Sequence, residues 1–287
     1  MLSLHTNAAS LSTQNNLHNT QSSLSTSLSR LGTGYRINSA MDDAAGLQIA
    51  TRLNAQTSGM AVAMRNTQNG ISMMQTAEGA FNEMTNILTR MKDLATQAAD
   101  ASSTATDQTA MQAEYDSLGL ELSNVMKNTS FGGQSLLDPT GGKLAAALKF
   151  QIGASAAEVM DVDVSTQLTA VDTALTAVSG NYTAAATGTE LTAAGGANGQ
   201  ITKLSTALDK VGELRSALGA NSNRLDHVYN NLSNMSTTTQ EARGRIMDVD
   251  YASETANMTT HQMLMQAGTS MLKQSNSMSQ LVMSLMQ

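Results

Sequence analysis

The residues best able to do chemistry here are the four histidines, since imidazole is both the commonest metal ligand and a ready acid or base near neutral pH. His5, His18, His227 and His261 are scattered, with no pair at ligand spacing and no H-E-x-x-H string. A metal site needs several convergent ligands, so each is expected to sit on a helix face. Cysteine is absent, which removes disulfides, thiolate metal sites and thiol nucleophiles together. Gly32-Thr33-Gly34 has the glycines of a phosphate-binding turn but lacks the Lys-Ser/Thr that would reach the phosphates. Asp42 and Asp43 are neighbouring carboxylates, yet they stand near an expected helix start, where the macrodipole favours acids. The expectation is therefore no catalytic residue, no cofactor and no metal: the chain is not read as an enzyme.

The elements that would position such residues have an unusual composition. Among 287 residues there are no Trp, three Phe and five Tyr, against twenty Met. Aromatic rings normally supply the largest buried areas. Leu, Met, Ile, Val and Ala must build this core, which suits helices packed side by side. A single proline, Pro139, permits very long helices. The net charge of -7 comes with no basic stripe, so nucleic acid is not an expected partner. No run approaches the roughly 18 uninterrupted apolar residues of a membrane span, and the N-terminus lacks the basic and apolar regions of a secretory signal.

Charge is distributed unevenly. From Met1 to Ser29 there is no Lys, Arg, Asp or Glu, and from Thr255 to Gln287 only Lys273 is charged. A solvated helix normally carries a charged face. Uncharged ends rich in Ser, Thr, Asn and Gln suggest segments that are disordered alone or buried against copies of themselves.

Apolar spacing supplies the seams. Leu17, Leu24 and Leu31 lie seven apart with Leu28 between the last two, while Leu4 and Leu11 share the interval in a shifted phase. Near the other end Leu264, Met271, Met278 and Leu285 are seven apart, with Leu281 between the last two. These two seams are read as partners and as the polymerisation surface. Between them, Met74, Ala77, Phe81, Met84, Leu88, Met91, Ala95 and Ala98 alternate steps of three and four, the stripe of a bundle helix. Ala101 to Thr106 reads as a turn. Met111, Tyr115, Leu118, Leu122 and Val125 continue on a second helix that stops before Phe131-Gly132-Gly133. Phe150, Ile152, Val162 and Val164 alternate at period two around Gly153, which predicts a small β-hairpin or two short strands. Ala170 to Gln200, rich in Ala, Thr and Gly, reads as a weak core former and a surface connection. A third long helix follows, with Leu204, Val211, Leu218, Leu225, Leu232 and Ile246 on one comb and Leu214, Val228, Met235 and Ala242 on another. The fold class is mainly α, a long-helix bundle or coiled coil with a small β-hairpin region.

Several ordered stretches resemble bacterial flagellins. Leu31-Gly32-Thr33-Gly34-Tyr35-Arg36-Ile37-Asn38-Ser39-Ala40 runs into Asp42-Asp43-Ala44-Ala45-Gly46-Leu47-Gln48-Ile49-Ala50. Asn69-Gly70-Ile71-Ser72, Gln75-Thr76-Ala77-Glu78-Gly79-Ala80 and Phe150-Gln151-Ile152-Gly153 follow. Leu218-Gly219-Ala220-Asn221 and Ala242-Arg243-Gly244-Arg245-Ile246, leading to Asp248-Val249-Asp250-Tyr251-Ala252, complete the set. The Thr33-Gly34 turn and the Met-rich tail look closest to lateral, swarming-type flagellins.

The resemblance implies a flagellin-like subunit of the extracellular flagellar filament, exported without a cleaved signal peptide. Its implied domains are an inner coiled coil from 1–40 and 246–287 and a helical bundle with a hairpin from 41–165 and 200–245. Residues 166–199 form a short variable connection in place of outer domains. Implied partners are copies of itself, an export chaperone, the filament cap and hook-junction proteins. An animal Toll-like receptor is a further one, facing a patch of Arg90, Leu94 and Glu114, although Leu94 is also placed to pack in the bundle. The alternatives are a hook–filament junction protein, which shares the terminal patterns, and a cytoplasmic signalling coiled coil, against which the uncharged ends speak.

Overall fold

The computed structural model describes residues 7–183 and 187–285, with the side chains of 278–285 outside the description. Among the described residues six α-helices dominate: α1 (Ala8–Thr33), α2 (Ala44–Ala98), α3 (Ala105–Asn128), α4 (Ser165–Val178), α5 (Gly196–Met247) and α6 (Tyr251–Leu285). Four short strands pair as two antiparallel hairpins, β1 (Ser130–Phe131) with β2 (Gln134–Ser135), and β3 (Leu148–Gln151) with β4 (Val159–Val162). The second has Leu148 opposite Val162 and Phe150 opposite Met160, the expected small hairpin. The architecture is mainly α.

The chain divides into two compact units, Met1–Thr57 with Thr237–Gln287, and Ser58–Ser236. The divisions fall inside α2 and α5, not at 40 and 246. Gly34 ends α1, but neither proline nor a capping glycine interrupts α2 or α5 at the division, and both helices run through it.

In the unit from 58 to 236 the core forms as its periodicity predicts. Met74, Ala77, Phe81, Met84, Leu88, Met91, Ala95 and Ala98 on α2 are all buried. They meet Met111, Tyr115 and Leu122 of α3 and Leu204, Val211, Leu218 and Leu225 of α5 in one cluster. Side chains recurring every three and four residues form a continuous helical stripe, and burying that stripe is what holds the bundle. The α2–α3 turn is closed by a reciprocal cap. Thr104 accepts the Asp107 N–H at 3.3 Å, and Asp107 accepts the Thr104 N–H at 3.1 Å. The second α5 comb is only partly internal: Leu214 is buried, but Met235 is 42% exposed.

Residues 166–199 hold more structure than the expected connection. Leu168, Val171, Leu175 and Val178 of α4 are buried, and so are Tyr182 and Leu191 beyond it. Steps of three, four and three make these four α4 residues a helical stripe. Reading the segment by its Ala, Thr and Gly content conceals that stripe.

Two tyrosines tie this segment down. The Tyr115 hydroxyl donates to Val178 O at 2.9 Å, and that of Tyr182 to Asp172 Oδ1 at 2.6 Å. Burial pushes both hydroxyls above the ordinary tyrosine value of 10.0; negative charge adds to it, from Glu190 and Asp116 at Tyr115 and from Asp172 at Tyr182. The folded chain therefore keeps protons that the unfolded chain loses above that value. The stability these groups contribute is fully present below pH 10.0 and is lost as pH rises further. Thermal melts should show a fall in midpoint through the alkaline range that the Y115F/Y182F variant shows less steeply. Equal slopes would contradict this.

Candidate assembly surface

The described residues of the unit made of 1–57 and 237–287 form a helix pair and a junction. At the junction, Gly34 ends α1 in the left-handed region (φ 76°), its N–H donating to Arg30 O at 2.9 Å. The positive φ favours glycine here, and a Cβ at Gly34 would stand 2.8 Å from the Tyr251 hydroxyl oxygen, the movable tip of an exposed side chain. The chain leaving α1 is stitched to the α5–α6 break. Arg36 N–H donates to Met247 O at 2.6 Å, Val249 N–H to Gly34 O at 3.0 Å, and Tyr35 bridges Asp248.

Asp42 and Asp43 act as caps here. Asp42 Oδ2 accepts the N–H groups of Ser39 at 2.8 Å and Asn38 at 3.0 Å, bonds that hold its carboxyl below the usual 3.8. Asp43 Oδ1 accepts the Gly46 N–H at 2.8 Å and so starts α2 at Ala44. The Ser39–Asp42 spacing, which resembles a helix start, closes the turn just before the helix.

α1 and α6 run antiparallel. Asn7 caps α1 by accepting the Ser10 N–H at 3.1 Å, and its amide donates to Ser275 O at 3.2 Å. At the other end Arg30 Nη1 lies 3.9 Å from Glu254 Oε2. The less exposed residues recur at steps of three and four on both helices. On α1 those following this rhythm are Ser10, Thr13, Leu17, Thr20, Leu24, Ser27 and Leu31, with Thr26 and Arg30 flanking it. On α6 they are Glu254, Met258, His261, Met265, Gly268, Leu272 and Ser275. This is a heptad seam of coiled-coil type. Gly268 sits where α1 comes close: a Cβ there would meet Leu17 Cδ1 at 3.2 Å.

The seam reassigns half of the sequence expectation. Leu17, Leu24 and Leu31 do face the partner helix, but Leu264 and Met271 do not. Leu264 is 52% and Met271 65% exposed, with Met263 beside them at 59%. α6 carries two interleaved heptad combs, and it is Met258, Met265 and Leu272 that meet α1. Leu28 and Leu11 are likewise outward, at 51% and 65%. The side chains of Met278, Leu281 and Leu285 lie outside the described residues, as does Leu4. Sequence reasoning also missed the Arg30–Glu254 pair. The signal was present: Arg30 is the first charged residue of the chain and Glu254 its last acid. Glu254 is buried, and one Arg30 nitrogen, Nε, is buried without a hydrogen-bond partner. A slip in register would strand a buried carboxylate, which is how such a pair disfavours other alignments.

In the unit 58–236, Arg90 and Glu114 form a forked pair, Nη2 to Oε1 at 2.7 Å and Nε to Oε1 at 2.8 Å, both about half exposed. Leu94 is 2% exposed and belongs to the bundle core. A pocket of about 330 Å³ is lined by Asn66, Asn69, Gly70, Met73, Phe131, Lys149, Phe150 and Gln151. It presents amides, one ammonium and two rings, and no acid, histidine or nucleophile. Among the described residues no group of three or more His, Asp or Glu could hold a metal ion, and no helix is long and apolar enough to cross a membrane.

Known proteins match this chain along most of its length. The family model of the bacterial flagellin N-terminal helical region matches residues 4–141, and that of the C-terminal helical region matches 201–286. Flagellin A of Vibrio anguillarum is 32% identical, covering 100% of both chains. A flagellin of Halalkalibacterium halodurans is 38% identical over 90% of each. Among solved structures, one assigned to the flagellar hook-associated proteins of Vibrio parahaemolyticus covers 72% of this chain and 100% of its own, with a TM-score of 0.54. At 15% identity that likeness is one of fold alone. The two family models and the full-length relatives share one identity, and the chain belongs to the bacterial flagellin family.

Proposed function

We propose that this chain is the structural subunit that polymerises into the bacterial flagellar filament for motility, and that neighbouring copies cover the apolar residues its terminal helices leave outside. The observation carrying this is the pair of combs on α6. One is used against α1, and the other, Leu264 and Met271 with Met263 alongside, stays half or more exposed on a helix almost without charge. In the sequence, Met278 and Leu285 continue the same seven-residue spacing. The inner seam is thin, mixing three leucines of α1 with Ser and Thr. Ordering a backbone costs about 1–2 kcal/mol per residue. The terminal helices accordingly complete their order as neighbours bury the outer comb, and non-closing contacts between identical subunits build a helical polymer.

Seeded growth tests the reading. Removing residues 1–30 or 258–287 should leave a soluble protein that adds no length to filament seeds under the electron microscope. Filaments of normal length from either truncation would overturn the terminal-helix mechanism.

The finer partners belong to the same reading: an export chaperone, the filament cap and hook-junction proteins, with the filament lying outside the cell. The Thr33-Gly34 turn and the Met-rich tail support the lateral type. An animal Toll-like receptor remains a partner through Arg90 and Glu114, whose exposed pair supports such a contact. Buried Leu94 serves that patch only by fixing the helix beneath it.

A further inference from the structure

We propose that Met263 and Met271 form an oxidation-sensitive modification site through which a peroxide blocks assembly of the free subunit. The inference rests on the filament reading above and adds a chemical control over it. The methionines of this chain fall into contrasting environments. Met74, Met84, Met91 and Met126 are at most 1% exposed, sealed in the bundle core. Met263 and Met271, at 59% and 65%, stand on the outward face of α6 beside Leu264. Thioether oxidation requires access to sulfur, so the core residues are protected and these two are not.

The step is an oxygen-atom transfer. A sulfur lone pair attacks the terminal oxygen of hydrogen peroxide and the O–O bond breaks. The departing oxygen takes up the proton released from the attacked one and leaves as water. Sulfur is oxidised by two electrons, peroxide is reduced, and the product is a sulfoxide. A flexible apolar side chain has become a polar one with a strong acceptor oxygen. In the free subunit that oxygen faces water and the fold is untouched. In a filament it would be buried against an apolar neighbour without a donor, where an unmet polar group is costly. Assembly also buries the sulfurs, so the site is open before incorporation and closed after it.

The test oxidises purified full-length monomer with hydrogen peroxide, maps sulfoxides by peptide mass spectrometry and follows seeded growth. With Met263 and Met271 oxidised, the critical concentration should rise about tenfold or more. Methionine sulfoxide reductases should restore it. Met41, 97% exposed in the loop after α1, will oxidise too, and the M263L/M271L variant separates its effect. Leucine conserves volume and hydrophobicity, so that variant should keep growing after the same treatment. Oxidised wild type growing at the untreated rate, or growth of the oxidised leucine variant falling as far as that of wild type, would overturn the proposal. Sulfoxides that reductases remove without restoring growth would do the same. Failure of the untreated protein to grow on seeds would overturn the filament reading itself, and the proposal with it.

Discussion

Replacing Leu264 and Met271 together by aspartate is expected to abolish seeded filament growth while leaving the subunit folded. Both side chains are more than half exposed in the single chain, so the change removes little from the subunit's own packing. Surface substitutions of this kind usually stay within about 0.5 kcal/mol of neutral. In the proposed polymer neighbouring subunits would bury the same positions. Fully burying a Leu or Met side chain contributes about 1.5–3 kcal/mol. Assembly can bury only the half to two thirds of each side chain still exposed, so losing that burial at both positions raises the critical concentration by about 10–10³-fold, and desolvating two carboxylates adds to that. Sedimentation and electron microscopy measure the growth, and circular dichroism the fold. Normal filaments from the L264D/M271D variant would mean that neighbours do not cover the outer comb of α6.

The second large effect lies in the bundle core. Phe81 is 0% exposed in a chain with only three phenylalanines, at the centre of the α2 stripe. The F81A variant loses the ring's burial and leaves a cavity, which for Phe to Ala costs about 3–5 kcal/mol. For a unit of this size each kcal/mol moves the melting midpoint by about 2–4 °C, so the core transition should fall by roughly 6–20 °C. The exposed residue Leu11 supplies the contrast: L11A should leave that transition where it is. A calorimetric shift for F81A below about 2 °C would show that the α2 stripe does not hold the bundle.

The long helices were legible because their signals are redundant. Along α2, eight consecutive stripe residues from Met74 to Ala98 obey one rhythm, and all are buried. Along α5, Leu204 to Leu232 does the same. The assembly surface was legible only in part. Seven-residue spacing on α6 shows that combs exist but not which one meets α1, since Leu264/Met271 and Met258/Met265/Leu272 both satisfy it. The deciding residues are poor carriers of hydrophobic pattern. Gly268 makes room for Leu17, and Glu254 finds Arg30 across the pair. α4 was hidden differently: four apolar residues in an Ala- and Thr-rich stretch are few by composition yet sufficient by spacing. Leu94 shows the limit of carrying a surface role over from a resemblance, because the three-four rhythm that places it at a seven-residue interval from Ile87 also turns it inward.

The most direct test of completion by neighbours is amide hydrogen exchange on a sedimentation-verified dilute monomer and on the filament grown from it. Slow exchange is predicted in both states for the stripe from Met74 to Ala98. In α1 and α6, fast exchange in the monomer should give way to strong protection in the filament. Equal protection of α1 and α6 in both states would contradict the claim, because the helix pair would then be complete without any neighbour.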